Sequence, residues 1–157
     1  MISPGQKIDL ELPLKIVRDG TVHEVKLGDL LTRRTIVSIY MRNNTPTCDR
    51  QADELAAHAA EFDRAGFNLV ALSRDTCGSH RRYAAAKGIA FPLVSDPENR
   101  FARAADAVVE KSMYGRTFLG PARSAWVLAP DGTVLAIAPA VDAARHGAQL
   151  RALIKSL

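Results

Sequence analysis

The chain has 157 residues, 47% hydrophobic and 24% charged, proportions that fit one globular domain and exclude a disordered chain. Lys and Arg outnumber Asp and Glu 21 to 17, a net charge of +4 that is scattered rather than gathered into the basic stripe of a nucleic-acid binder. No run reaches the ~18 apolar residues of a membrane span, and the stretch from Met1 to Leu14 lacks the basic flank and apolar core of a secretory signal. The expectation is a cytoplasmic protein of one domain, residues 1–157, with two free thiols rather than a structural bridge.

Asp19-Gly20 lies between alternating apolar residues, Lys15 to Arg18 and Thr21 to Val25, and predicts an N-terminal β-hairpin with a two-residue turn. The β-branched run Thr35 to Met41 predicts a buried strand. Ala52, Leu55, Ala56, Ala59 and Phe62 recur at helical spacing, which places a helix from Pro46 to Arg64, stopped by Gly66. Phe67 to Ser73 predicts a second buried strand, followed by a helix that Asp75 caps and Gly88 stops. Phe91 to Val94 is extended, Glu98 to Ala105 a short helix, and Ser124 to Ile137 a hairpin turning at Asp131-Gly132. Ala143 to Ile154 completes the set as an amphipathic helix. A strand–helix–strand–helix order predicts an α/β fold with a parallel pair and a right-handed crossover. Both helices after that pair begin at the carboxyl edge of the sheet, where α/β folds concentrate their chemistry. Cys48 and Cys77 are both at that edge.

In Thr45-Pro46-Thr47-Cys48, Thr45 suits a helix cap and Pro46 the first helical position, which puts Cys48 third. There its sulfur faces free amides and the positive end of the helix dipole, an environment that favours the reactive thiolate. Cys48 also aligns with Ala52 and Leu55, so it faces the protein interior. By position alone it is either a nucleophile or a small buried residue.

Several further motifs run along the chain. They are Leu72-Ser73-Arg74-Asp75 with Ser79-His80, Phe91 to Asp96, Met113-Tyr114-Gly115, Arg123-Ser124 with Trp126-Val127-Leu128, and Asp131-Gly132. With Thr45-Pro46-Thr47-Cys48 they make the sequence resemble the peroxiredoxins, in particular the bacterioferritin comigratory protein (PrxQ) subfamily, over nearly its whole length. The resemblance implies a thioredoxin-like fold with a central mixed sheet flanked by helices. It implies reduction of hydrogen peroxide and organic hydroperoxides at Cys48, with Thr45 and Arg123 framing the peroxide, and recycling by thioredoxin or a similar dithiol. No cofactor and no metal are expected; a monomer is expected, with a dimer as the alternative, and no nucleic-acid or membrane partner.

Two positions depart from the family pattern. Met41 stands where Pro is usual. The family's resolving cysteine falls at positions occupied here by Asp53 or Ala84, and the chain instead has Cys77, two helical turns before Ala84. Cys77 is either the resolving thiol or a bystander in an enzyme resolved by an external thiol. These departures also leave open a catalytically weak thiol sensor or partner-binding module. Cys77-x-x-His80 and His58 fall short of a four-ligand zinc set. The pairs Arg33-Arg34 and Arg81-Arg82 read as solvated surface.

Overall fold

A computed structural model describes residues 1–157. Strands β1 (Pro13–Arg18) and β2 (Thr21–Lys26) form the expected hairpin. Its turn residues Asp19 and Gly20 have φ of 52° and 73°, the left-handed geometry that matches the twist of the two strands. A short helix α1 (Leu27–Leu30) follows, then β3 (Thr35–Ile39), α2 (Pro46–Arg64), β4 (Asn68–Ser73), α3 (Cys77–Lys87), β5 (Leu93–Ser95) and α4 (Arg100–Ala104). Next come β6 (Val108–Met113), β7 (Arg116–Pro121), β8 (Ala125–Leu128) and β9 (Val134–Ala138). A single 3₁₀ turn, Ala143–Arg145, leads into α5 (His146–Lys155).

Seven strands form one mixed sheet in the order β2-β1-β5-β4-β3-β8-β9. Strands β3, β4 and β5 run parallel and the other pairings are antiparallel. Every residue of β3 is buried, as its central place and β-branched sequence require. Alternation along the strands builds two cores. Val37, Ile39, Val70, Leu72, Trp126 and Leu128 pack on one face with Leu27, Leu30 and Phe101. Ile36, Tyr40, Leu69, Ala71, Ala125 and Val127 pack on the other with Cys48, Leu55, Phe62, Tyr83 and Leu150. The second face is therefore covered by α2, α3 and α5. No helix is long and apolar enough to cross a membrane.

Two local expectations are revised. The cap of α3 is Thr76, whose hydroxyl accepts from the Ser79 amide at 3.1 Å. Asp75 is engaged elsewhere, its carboxylate accepting from the Asn43 amide at 3.0 Å and from the Ser73 hydroxyl. Arg33 and Arg34 are not simply solvated: Arg33 donates to Asn68 Oδ1 at 2.8 Å and to the Phe67 carbonyl at 3.1 Å, while Arg34 lies over the Phe67 ring. Strands β6 and β7 form a separate two-stranded sheet that the sequence pattern does not announce.

Candidate active site

Strand β3 ends at the carboxyl edge of the sheet, and the chain passes through Tyr40 to Asn44 before entering α2. Asn44, at φ 62°, makes the left-handed bend that redirects it. Thr45 has extended geometry, φ −118° and ψ 146°, and Pro46 opens the helix. Cys48 thus stands third in α2, and it is 1% exposed. Its neighbours one turn on, Gln51 and Ala52, are buried with it.

The Thr45 hydroxyl does not cap the helix. It donates its hydrogen to the Arg42 carbonyl at 2.9 Å; turned to the neighbouring Cys48 sulfur, the same hydrogen favours the thiolate. Burial pushes the Cys48 thiol up. The Thr45 hydroxyl, the main chain at Arg42 and Met41, and the charge of Arg123 outweigh burial and hold it below its ordinary range. Only a hydrogen-bond donor favours a thiolate, so the main-chain groups acting on the sulfur are amides. Arg123 comes from the link between β7 and β8, and its Nη1 donates to Gln51 Oε1 at 2.9 Å. The structure therefore brings Cys48, Thr45 and Arg123 together.

Three further residues join them: Gln51, Met41, which the sequence marks as a departure from the family pattern, and Lys111. Gln51 sits on the Cys48 face of α2 and binds Arg123. Met41 packs against both cores, and its thioether receives the ammonium of Lys111 from β6. The stem of Lys111 crosses Gly120, where a Cβ would lie 3.3 Å from Lys111 Cδ, so the glycine leaves room for it. Burial and the nearby Arg123 charge push Lys111 below the usual lysine range, while Cys48 pulls it back up. Gln51 was detectable in principle, because it lies one turn beyond Cys48. Lys111 was not, because its hairpin shows no alternation.

Cys77 is placed differently. It is the first residue of α3, partly exposed, and lines a groove of 870 Å³ with Lys15, Lys26, Ser95, Asp96 and Arg100. The side of α3 that meets α2 is marked by Tyr83, whose hydroxyl donates to Asp49 Oδ1 at 2.7 Å, and by Lys87, which pairs with Asp53. Cys77 lies off that side, in the groove on the β1 and β5 flank. His80 is fully buried. Its Nε2 donates to the Val94 carbonyl at 3.0 Å and its Nδ1 accepts from Asn43 Nδ2 at 3.1 Å, which makes it a structural residue of this corner.

The AhpC/TSA family profile matches residues 4–137. The chain is 37% identical over 121 residues to peroxiredoxin Bcp of Xanthomonas campestris pv. campestris, covering 77% of this chain and 76% of that one. It is 29% identical over 117 residues to peroxiredoxin Bcp of Escherichia coli K12, covering 74% of each. Among solved structures it resembles the bacterioferritin comigratory protein of Xanthomonas campestris, described for its alkyl peroxide reduction activity, with a TM-score of 0.86, 30% identity and 98% of each chain covered. The fold is thus the thioredoxin-like fold of the peroxiredoxins. The chain belongs to the AhpC/TSA family, in its bacterioferritin comigratory protein (PrxQ) branch, and is a thiol-dependent peroxidase.

Proposed function

We propose that Cys48 is the peroxidatic nucleophile and that Thr45 and Arg123 bind the peroxide and its transition state. The observation that carries this reading is the buried Cys48 thiol at the start of α2, held low by Thr45, two main-chain amides and Arg123. The thiolate attacks one oxygen of a hydroperoxide. A sulfur–oxygen bond forms as the oxygen–oxygen bond breaks, the sulfur is oxidised to sulfenic acid, and the alcohol or water leaves after taking up a proton. Negative charge moves from sulfur to the leaving oxygen. A guanidinium and a hydroxyl fixed beside both oxygens stabilise that charge more in the transition state than in the ground state. The peroxides are hydrogen peroxide and organic hydroperoxides.

For reduction of the sulfenic acid, the place of Cys77 in the groove on the β1 and β5 flank supports an external dithiol of the thioredoxin type as the source of the resolving thiol. One of its sulfurs condenses with the Cys48 sulfenic acid and releases water, and its second sulfur displaces Cys48 as a thiol. A second reading, in which Cys77 resolves, rests on its place in the first turn of α3 beside Gly78, a turn that opens at low cost. Consumption of hydrogen peroxide by the reduced protein, with the mass of each cysteine peptide read afterwards, tests the proposal. Oxidation confined to Cys48 and abolished by prior alkylation of Cys48 supports it. Peroxide consumption that survives alkylation overturns it.

A further inference from the structure

Behind Arg123, the sheet face that should be apolar carries a line of polar side chains. Ser38, Gln51 and His146 are each fully buried among Ile36, Ala125, Val127 and Leu150. Burying such groups is unfavourable unless all are hydrogen-bonded, and no buried side-chain nitrogen or oxygen lacks a partner. Gln51 Oε1 accepts from Arg123 at 2.9 Å. Gln51 Nε2 donates to Ser38 Oγ at 2.9 Å and to the Ile39 carbonyl at 3.1 Å. Ser38 Oγ lies 2.8 Å from His146 Nε2, and His146 Nδ1 lies 3.0 Å from Gln149 Oε1. Gln149 is itself fixed, accepting from the Asp142 amide at 3.1 Å and donating to the Ala140 carbonyl at 2.7 Å.

The hydrogens along this line are fixed from its two ends. Arginine only donates, so the Gln51 oxygen faces it and the Gln51 nitrogen faces Ser38. At the other end the Gln149 oxygen only accepts, so His146 carries its hydrogen on Nδ1, and the neutral ring accepts the Ser38 hydroxyl at Nε2. Every bond points the same way, from the peroxide site to the first turn of α5.

We infer that Ser38 and His146 are positioning residues for Arg123. They hold the Gln51 amide with its oxygen toward the guanidinium. A glutamine amide that turns over would present its NH₂ group to Arg123, donor against donor, and release the guanidinium from the sulfur. The inference rests on Arg123 being the cation that serves Cys48. The charged groups acting on His146 are Glu54 from α2, Asp142 from the turn before α5, and Arg123 beyond Gln51; His58 of α2 lies against the next residue, Gly147, Arg145 precedes the helix on the surface, and β9 brings none. Burial pushes the imidazole below the usual histidine range, against the pull of Gln149, Glu54 and Asp142 and with the push of Arg123. Protonation would place a hydrogen on Nε2 and leave the Ser38 hydroxyl hydrogen without an acceptor.

The test measures the Cys48 thiol directly, by the pH dependence of iodoacetamide alkylation of the Cys48 peptide, and so does not depend on peroxidase turnover. Ser38→Ala and His146→Phe are expected to raise the midpoint of that curve and to slow peroxide reduction at neutral pH by about tenfold, the usual scale for one interior hydrogen bond. In an Arg123→Ala background, Ser38→Ala is expected to add nothing, because its effect passes through Arg123. Should His146→Phe fail to fold, Ser38→Ala alone decides. An unchanged alkylation midpoint in Ser38→Ala overturns the inference, as does an equal further change in the Arg123→Ala background. A wild-type protein with a low thiol midpoint but no peroxide consumption would instead refute the peroxidatic role of Cys48 and leave the positioning role standing.

Discussion

The two cysteines occupy similar places in the chain and different places in the molecule. Each lies in the first turn of a helix that follows a parallel strand, and each helix is entered through a threonine, Thr45 for α2 and Thr76 for α3. At α3 the threonine caps the helix and Cys77 faces a groove. At α2 the threonine leaves the helix uncapped, its hydroxyl donating to the Arg42 carbonyl beside Cys48, and Arg123 arrives from the β7–β8 link. A helix start is thus only part of what makes a nucleophile. What separates Cys48 from Cys77 is a hydroxyl left off the helix beside the sulfur and a cation delivered by tertiary structure.

The sharpest test exchanges the two thiols for hydroxyls. Cys48→Ser is expected to abolish peroxide turnover with the fold intact. Cys77→Ser is expected to keep the first oxidation step at the wild-type rate, because no part of the Cys48 site touches it. Stopped-flow peroxide consumption with matched circular dichroism checks both. Comparable losses in the two variants would erase the distinction drawn between the sites.

Next in size is Arg123→Ala. Losing one fixed donor at a developing charge costs on the order of 10²–10³ in rate, about 3–4 kcal/mol. The Cys48 thiol should titrate higher as well, since a cation beside it favours the thiolate. The same substitution at Arg100, a cation of the Cys77 groove, is the control and should leave both quantities unchanged.

The threonine pair separates catalysis from stability. Thr45→Val should slow peroxide reduction about tenfold, the scale of one hydrogen bond, with little change in melting temperature, because its hydroxyl caps nothing. Thr76→Val should do the reverse. It removes a cap worth about 1 kcal/mol and lowers the melting temperature by about 2–4 °C, with the peroxide rate unchanged. Thermal melts and peroxide kinetics on the two variants are sufficient. A Thr45→Val protein that melts early at full activity would contradict the assignment.

Local patterns made much of this legible. Asp19-Gly20 announced its hairpin, the run from Thr35 its strand, and the spacing of Ala52, Leu55 and Phe62 its helix. Cys48 could be placed third in α2 because Pro46 marks the first position. Arg123 could be assigned only through family resemblance, since nothing in its neighbourhood points 75 residues back to Cys48. The β6–β7 hairpin escaped because its strands mix Glu110, Lys111 and Ser112 with apolar residues and are largely exposed. Its turn is Tyr114-Gly115, with a tyrosine at φ 51° where Asn or Asp is usual. Helix α1 is too short to show a period. The line from Gln51 through Ser38 to His146 joins three separate elements and exists only after the sheet and α5 have packed. Asp75 reads from the sequence as the α3 cap, but its carboxylate is taken by the Asn43 amide, and Thr76 caps the helix instead.

Lys111 carries the smallest expected effect and refines the comparison further. It is a second cation on the Cys48 side, anchored to Met41, the residue that departs from the family pattern. Its ammonium feels the Cys48 thiolate, and that attraction acts equally on the thiol: a neighbouring positive charge lowers the thiol's titration. Lys111→Met keeps the stem that crosses Gly120 and removes only the charge. Because Lys111 is half-buried, solvent screens much of the interaction, and a loss of only a few-fold in rate is expected. The sign sets where that loss appears. The thiolate is the reactive form, so the rate climbs as pH rises through the Cys48 titration. Removing the cation moves that climb to higher pH. The variant should therefore be slower than wild type on the acid side and match it once both thiols are fully ionised. Lys111→Arg, which keeps the charge, should follow the wild-type profile. A pH profile of peroxide reduction in low salt reads all three proteins. A constant deficit across the whole range would mean that Lys111 acts by holding the hairpin against Met41 and not through its charge.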